Sequence, residues 1–361
     1  MKQLTVGIAG TAKNTGKTTT TRALLEHFQT RHVGLGITSI GYDGERVDNI
    51  TGLPKPRIFL EKGDLVAVSE NCLPASSARV KVLERTGITT PLGRVVCGQV
   101  IKEGLLVVAG PNQSGHLRLI RDWMNRRGAS LVIVDGALNR IAPMVETDGF
   151  ILSTGASYAT DIDRLALETH SIEVICNLPE TVEVPGPVPE RGRSILWDAA
   201  GGLLADLPPS LFETGCLNRI SSLFRHAAGL YCPGVVSGQC LELLGDLPFA
   251  GGMQFVFADP VKIMLSGNVI AAHRFVEKVL KKGGRVGYLR PLPLIAVTVN
   301  PFYPNYRYGT RDYQPAFVNR ELLLSRIREA VDIPAFDVVF EGPEKLARAI
   351  ELFAKIAYSS G

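Results

Sequence analysis

The stretch Leu4-Thr5-Val6-Gly7-Ile8-Ala9-Gly10-Thr11-Ala12-Lys13-Asn14-Thr15-Gly16-Lys17-Thr18-Thr19 is an apolar run, then a glycine-bearing turn, then the start of an amphipathic segment. The apolar run predicts a buried β-strand. Thr18 to Thr30 predicts a helix, with Ala23, Leu24 and Phe28 at helical spacing. The turn between them has the make-up of a P-loop, whose backbone N–H groups point at phosphate oxygens and are backed by the dipole of the following helix. In such a loop Lys17 neutralises β- and γ-phosphates, and the Thr18 hydroxyl ligates Mg²⁺. The expected binding residues are Gly10, Thr11, Ala12, Lys13, Asn14, Thr15, Gly16, Lys17, Thr18 and Thr19, with ATP and Mg²⁺ as cofactors. A glycine-rich turn that binds nothing is the bland alternative. Gly16-Lys17-Thr18 at the helix start favours phosphate.

Two carboxylates are candidates for the metal and for the reaction. Leu131-Val132-Ile133-Val134-Asp135 reads as a Walker B strand, whose terminal Asp135 orders the waters around Mg²⁺. Asp43 follows the predicted strand Val33 to Ile40, where a switch residue would contact Mg²⁺ or orient the attacking water, and Glu45 is a near neighbour for the same task. Lys17, Asp43 and Asp135 are thus the expected catalytic residues, and Thr18, Asp43 and Asp135 the expected metal contacts. A turn aspartate before Gly44 is the competing reading for Asp43.

Composition narrows the class. The chain has 361 residues, 45% of them hydrophobic, enough for large cores and for two domains. Its 39 basic and 35 acidic residues nearly balance, and no Lys/Arg block is longer than Lys281-Lys282, which argues against nucleic acid. No apolar run reaches the ~18 residues of a membrane span, and the N-terminus runs straight into the first strand without a leader. The six cysteines form no C-x-x-C pair and read as reduced thiols of a cytoplasmic protein; a structural zinc site is not expected.

Along the chain, apolar strands without polar alternation are joined through helices. This predicts an α/β fold: a first domain over 1–180 with a mainly parallel sheet covered on both faces. The strands expected there include a hairpin across Glu61-Lys62-Gly63-Asp64, Arg94 to Val100, Leu131 to Val134, Phe150 to Leu152 and Val174-Ile175. Ser76 to Arg85 is expected to be a helix. The Pro-, Glu- and Gly-rich segment Pro179 to Arg193 reads as a linker. A second α/β domain over 194–361 then follows, with no phosphate loop of its own and the profile of a partner-binding module.

Other polar groups fall at predicted strand ends, where open α/β sheets bind ligands. Gly110-Pro111-Asn112-Gln113-Ser114 and Thr154-Gly155-Ala156-Ser157 read first as turns. Asn177 is a candidate base reader. Asp259, Lys262 and Asn300 suggest a separate surface in the second half. Tyr303 to Tyr308 interleaves aromatics with one Arg, more in keeping with an exposed loop than with base stacking. Cys216, Cys232 and Cys240 lack the Gly-x-Cys-x-Gly setting of an amidotransferase nucleophile.

The loop Gly10-Thr11-x₄-Gly16-Lys17-Thr18 resembles that of dethiobiotin synthetase and the cobyrinic acid amidases. Lys13-Asn14-Thr15-Gly16-Lys17-Thr18 is similar to the molybdopterin-guanine dinucleotide adaptors. All belong to the P-loop class that includes the MinD and ParA ATPases, and a homodimer is among the arrangements this resemblance implies. Lys13 stands one residue nearer the P-loop lysine than the signature lysine of MinD and ParA, which counts against a role across a dimer. Further strings look alike to a narrower family: Thr38-Ser39-Ile40-Gly41-Tyr42-Asp43-Gly44-Glu45, Pro54-Lys55-Pro56, Thr89-Thr90-Pro91-Leu92-Gly93, Asp135-Gly136-Ala137-Leu138 and Val297-Thr298-Val299-Asn300-Pro301. They are similar to the non-MutS-like subunit of the reactivase for lysine 5,6-aminomutase, an adenosylcobalamin enzyme. That resemblance implies ATP hydrolysis coupled to a partner aminomutase and a second reactivase subunit. A carboxylate-activating ligase and a nucleotide-dependent adaptor with little turnover are the alternatives.

Overall fold

Seven strands lie side by side in parallel, and the strand that opens the chain is in the middle of them. The computed structural model describes residues 3–41, 58–181, 184, 192–306 and 313–359. Its largest sheet has nine strands. In spatial order they are Ala335–Phe336, Leu294–Asn300, Gly149–Gly155, Leu4–Gly10, Leu131–Ala137, Leu35–Ser39, Leu65–Ser69, Gly93–Lys102 and Arg79–Thr90. The first seven run parallel, and the last two pairings are antiparallel. The fold is α/β with a large mixed sheet.

Every residue of Leu4–Gly10 is buried, and Val6 lies opposite Ile133 on one side and Gly149 on the other. Continuous apolar runs are what a strand covered on both faces requires. Leu4, Val6 and Ile8 share one core with Leu24, Leu25 and Phe28 of the helix Lys17–Gln29 and with Leu346, Ala347 and Ile350 of the helix Glu344–Ser359. Elsewhere in this unit the helix Ser114–Arg126 buries Leu117, Ile120, Trp123 and Met124. The Trp123 indole N–H donates to the Glu84 carboxylate at 2.7 Å.

The division of the chain differs from the linear one at 180 and 194. One compact unit is Met1–Ala166 with Leu294–Gly361, and the other is Leu167–Pro293. The physical reason is strand pairing: Leu294–Asn300 pairs in parallel with Gly149–Gly155, so the last part of the chain completes the first sheet. The second unit is an insertion. It holds a five-stranded sheet ordered Leu203–Leu207, Ser194–Asp198, Ala227–Cys232, Gln254–Phe257 and Arg285–Tyr288, antiparallel at its first two pairings and parallel at the rest. Phe255, Phe257, Phe275 and Tyr288 fill its interior. The start of the expected linker is structured, since the Thr181 N–H donates to the Tyr288 carbonyl at 2.7 Å.

Three local expectations also change. The segment expected as a helix over Ser76 to Arg85 is instead the strand Arg79–Thr90. Its Arg-Val-Lys-Val alternation sends Val80 and Val82 toward the core and leaves Arg79 exposed, the two-residue period of a strand. The expected hairpin does not form. Ile58–Leu60 pairs with Gly104–Leu106, while Leu65–Ser69 joins the main sheet beside Leu35–Ser39. Val174-Ile175 lies inside the helix Ile162–Cys176, showing how a short apolar run leaves helix and strand unresolved.

Because Ile350 is fully buried against the first helix, Ile350→Ala should destabilise the first unit by about 2–5 kcal/mol. Urea unfolding measures this. A chain ending at Pro293 lacks two strands of the first sheet and should give no cooperative unfolding transition for that unit.

Candidate functional site

The turn after Leu4–Gly10 is held from several directions. The Thr11 N–H donates to the Ser153 carbonyl at 3.0 Å, and the Thr11 hydroxyl reaches that of Thr154 at 3.2 Å. The Thr15 hydroxyl donates to the Ala12 carbonyl at 3.0 Å. Two residues take left-handed backbone, Asn14 at φ 63° and Gly16 at φ 90°. Asn tolerates that region better than most side chains. At Gly16 a side chain would also crowd Asn300, whose Cβ would stand 3.2 Å from an added Cβ. Helix Lys17–Gln29 then begins with no side chain capping it, and Gly16, Lys17, Thr18 and Thr19 at its positive dipole end all line the cavity beside them.

That cavity has a volume of about 410 Å³ and is lined by Gly10, Ala12 and residues 13–19 of the turn and helix start. Lys17, Thr18 and Asp135 all line it. Thr11 stands behind the loop and is not among the lining residues. Lys13 lines it from an exposed position. The Lys17 ammonium lies 3.2 Å from Asp135 Oδ1, with the two side chains 26% and 15% exposed. Asp135 is positioned by its strand, and the Ile40 N–H donates to its backbone carbonyl at 2.7 Å. Lys13, Lys17, Arg140 and Asp135 are the charged residues among those described that line it. Asp43 and Glu45 lie outside the described residues.

Several lining residues had no signal, or the wrong one, in the sequence. Asn300 belongs to this wall, in the first unit, whereas Asp259 and Lys262 lie in the second. Its side-chain amide donates to the Asn14 carbonyl at 2.7 Å, and its Oδ1 accepts from the Phe302 N–H at 3.2 Å. Ser157 donates to the carbonyls of Asn14, at 3.3 Å, and Phe302, at 3.0 Å. The segment 154–157 therefore braces the loop as well as turning the chain. Behind the loop the hydroxyls of Thr20, Thr298 and Ser153 form a buried chain, at 2.9 Å and 2.8 Å, tying the helix to two strands. Gly110 and Pro111 brace the opposite wall: Gly110 N–H donates to the Ser39 hydroxyl at 3.0 Å, and Gly41 N–H to the Pro111 carbonyl at 2.9 Å. Arg140 also lines the cavity and was not singled out by any motif.

The remaining candidates are not among the lining residues. Asp259 is buried beside Lys262, at 3.1 Å; burial pushes its carboxyl above the usual range, opposed by the Lys262 charge. Asn177 is exposed just beyond the helix Ile162–Cys176, in the second unit. The strands Phe302–Tyr306 and Tyr313–Phe317 form an antiparallel ladder that holds the described part of the Tyr-rich segment. Among the described residues no group of three His, Cys, Asp or Glu side chains could hold a metal ion, and no helix is long and apolar enough to cross a membrane. Comparison with protein-family models, with curated proteins and with solved structures finds no match for this chain.

The loop geometry makes a direct prediction. Gly16→Ala forces a left-handed backbone on alanine and should cost about 1–2 kcal/mol, read as a shift of the urea midpoint at constant slope. Gly115→Ala, in a helix with no atom within 4 Å of the added carbon, should not destabilise the chain. Equal effects of the two would contradict the strain at Gly16.

Proposed function

We propose that the first unit is a P-loop nucleotide-binding domain that holds Mg·ATP and hydrolyses it to act on a partner protein. The observation that carries this reading is the 3.2 Å approach of Lys17 to Asp135 across the mouth of the Gly10–Thr19 loop. A lysine from the helix start and an aspartate from the adjacent parallel strand meet there, beside first-turn amides. Mg²⁺ bound with a nucleotide takes few protein ligands, since water and phosphate oxygens fill the rest of its octahedron. The Thr18 hydroxyl and the Asp135 carboxylate suit that need without a three-residue cluster. In this scheme Lys17 moves its charge from Asp135 to the β- and γ-phosphates. The loop amides hold the phosphate chain, and Asp135 orders the water shell of the metal. The metal supplies charge neutralisation as the terminal phosphate leaves. Asp43 is proposed, from sequence, to orient the attacking water.

The partner is proposed from the resemblance given above: an adenosylcobalamin-dependent aminomutase, together with a second reactivase subunit, in the cytoplasm. The inserted unit, without a phosphate loop or nucleophile setting, is the proposed partner-binding part. It ends at Pro293, so the fragment that tests it is 167–293.

Calorimetry tests the nucleotide site. Lys17→Ala removes a charge-assisted contact and should weaken Mg·ATP binding about ten- to a hundredfold with an unchanged unfolding midpoint. Asp135→Asn should retain binding while Mg²⁺-dependent phosphate release falls on the order of a hundredfold. Wild-type affinity in folded Lys17→Ala would end the reading.

A further inference from the structure

The cavity has two distinguishable ends, and the strand order sets them apart. Leu294–Asn300, Gly149–Gly155, Leu4–Gly10, Leu131–Ala137 and Leu35–Ser39 follow one another across the sheet. Asn300 lines the cavity at the end of the first of these, with Phe302 just beyond it, and Ser39 at the end of the last, with Ile40 and Gly41 following. Four strand spacings separate them, roughly 19 Å. The loop rises from the middle strand. Lys17 leans from it toward the second end, where Asp135 holds its ammonium at 3.2 Å.

Arg140 stands at that same end. The strand bearing Asp135 runs through Ala137 into the single turn Leu138–Arg140, which brings Arg140 to the cavity wall. Its stem packs on Gly41: a carbon added at Gly41 would lie 3.6 Å from Arg140 Cδ and 3.8 Å from Nε and Nη1. Gly41 itself is held at φ 67°, and its N–H is fixed on the Pro111 carbonyl at 2.9 Å. The guanidinium is thus carried by two anchored backbone segments, on the Asp135 side of the cavity and away from Asn300.

We propose that Arg140 binds the terminal phosphate of the nucleotide and makes the site discriminate triphosphate from diphosphate. This assignment rests on the nucleotide reading above. A planar guanidinium offers paired N–H donors that match phosphate oxygens, and its charge does not titrate away near neutral pH. Lys17 serves both β- and γ-phosphates from the loop, so its loss weakens both nucleotides. On the nucleotide reading the metal and the terminal phosphate sit at the Asp135 end, where Arg140 lines the wall, so only a ligand with a third phosphate gains from it. Strapping the Asp135 turn to the Gly41 corner is what Arg140 would do without any ligand.

The test uses the full chain with Mg²⁺, titrated with ADP and with a non-hydrolysable ATP analogue. Arg140→Ala should weaken the analogue about ten- to a hundredfold and leave ADP affinity unchanged. Arg140→Lys, which keeps the charge but loses the planar fork, should fall between. If Arg140→Ala lowers the unfolding midpoint, the same ratio of affinities is read from Arg140→Lys. Parallel loss of both nucleotides, or loss of neither, overturns the assignment while sparing the nucleotide reading. Failure of the wild-type chain to bind either nucleotide overturns both.

Discussion

The parallel pairing of Leu4–Gly10 on both of its sides is the constraint on which the site depends. Parallel strands bring all their carboxyl ends to one edge of the sheet. With Leu131–Ala137 on one side and Gly149–Gly155 on the other, the Gly10–Thr19 turn opens at the same edge as Asp135 and Ser153. The next strands outward deliver Ser39 and Asn300 to that edge as well. Residues from five separate parts of the chain are gathered around one loop without any special feature beyond strand direction. One antiparallel neighbour in that group would have sent its terminal residues to the opposite edge.

The loop keeps its shape through polar contacts with those neighbours. Left-handed backbone at Asn14 costs free energy and persists where the surroundings impose it, and here Asn300 and Ser157 both hold the Asn14 carbonyl. The buried hydroxyl chain Thr20–Thr298–Ser153 satisfies polar groups that would otherwise be stranded in the core. It also ties the first helix to the last long strand of the sheet. The loop is therefore set by both halves of the chain, although its own residues are contiguous.

The inserted unit changes how the chain must be divided. A strand late in sequence belongs to the first sheet as fully as the early ones, because parallel neighbours are joined by long crossovers with no fixed upper length. Here the crossover between Gly149–Gly155 and Leu294–Asn300 carries a whole second sheet. Asp259, Lys262 and Asn300, grouped by the sequence, fall in different units for the same reason. Asp259 and Lys262 pair with each other in the insertion, while Asn300 returns to the loop.

The sequence by itself determined the central buried strand, the turn and helix that follow it, and the strand that carries Asp135. Those features are written in contiguous residues: an unbroken apolar run, a Gly-Lys-Thr triplet, and an apolar run closed by an acid. It also determined an α/β rhythm, though the Arg-Val-Lys-Val alternation that makes Arg79–Thr90 a strand was legible and read as a helix. Only the tertiary structure decided that Lys17 meets Asp135, that Asn300 braces Asn14 and that Arg140 reaches the same cavity. It alone decided which strands neighbour one another and where the chain divides. Periodicity reports which face of an element is buried, whereas strand order is set by pairings between distant residues, more than a hundred positions apart for both neighbours of Leu4–Gly10, which no local pattern encodes.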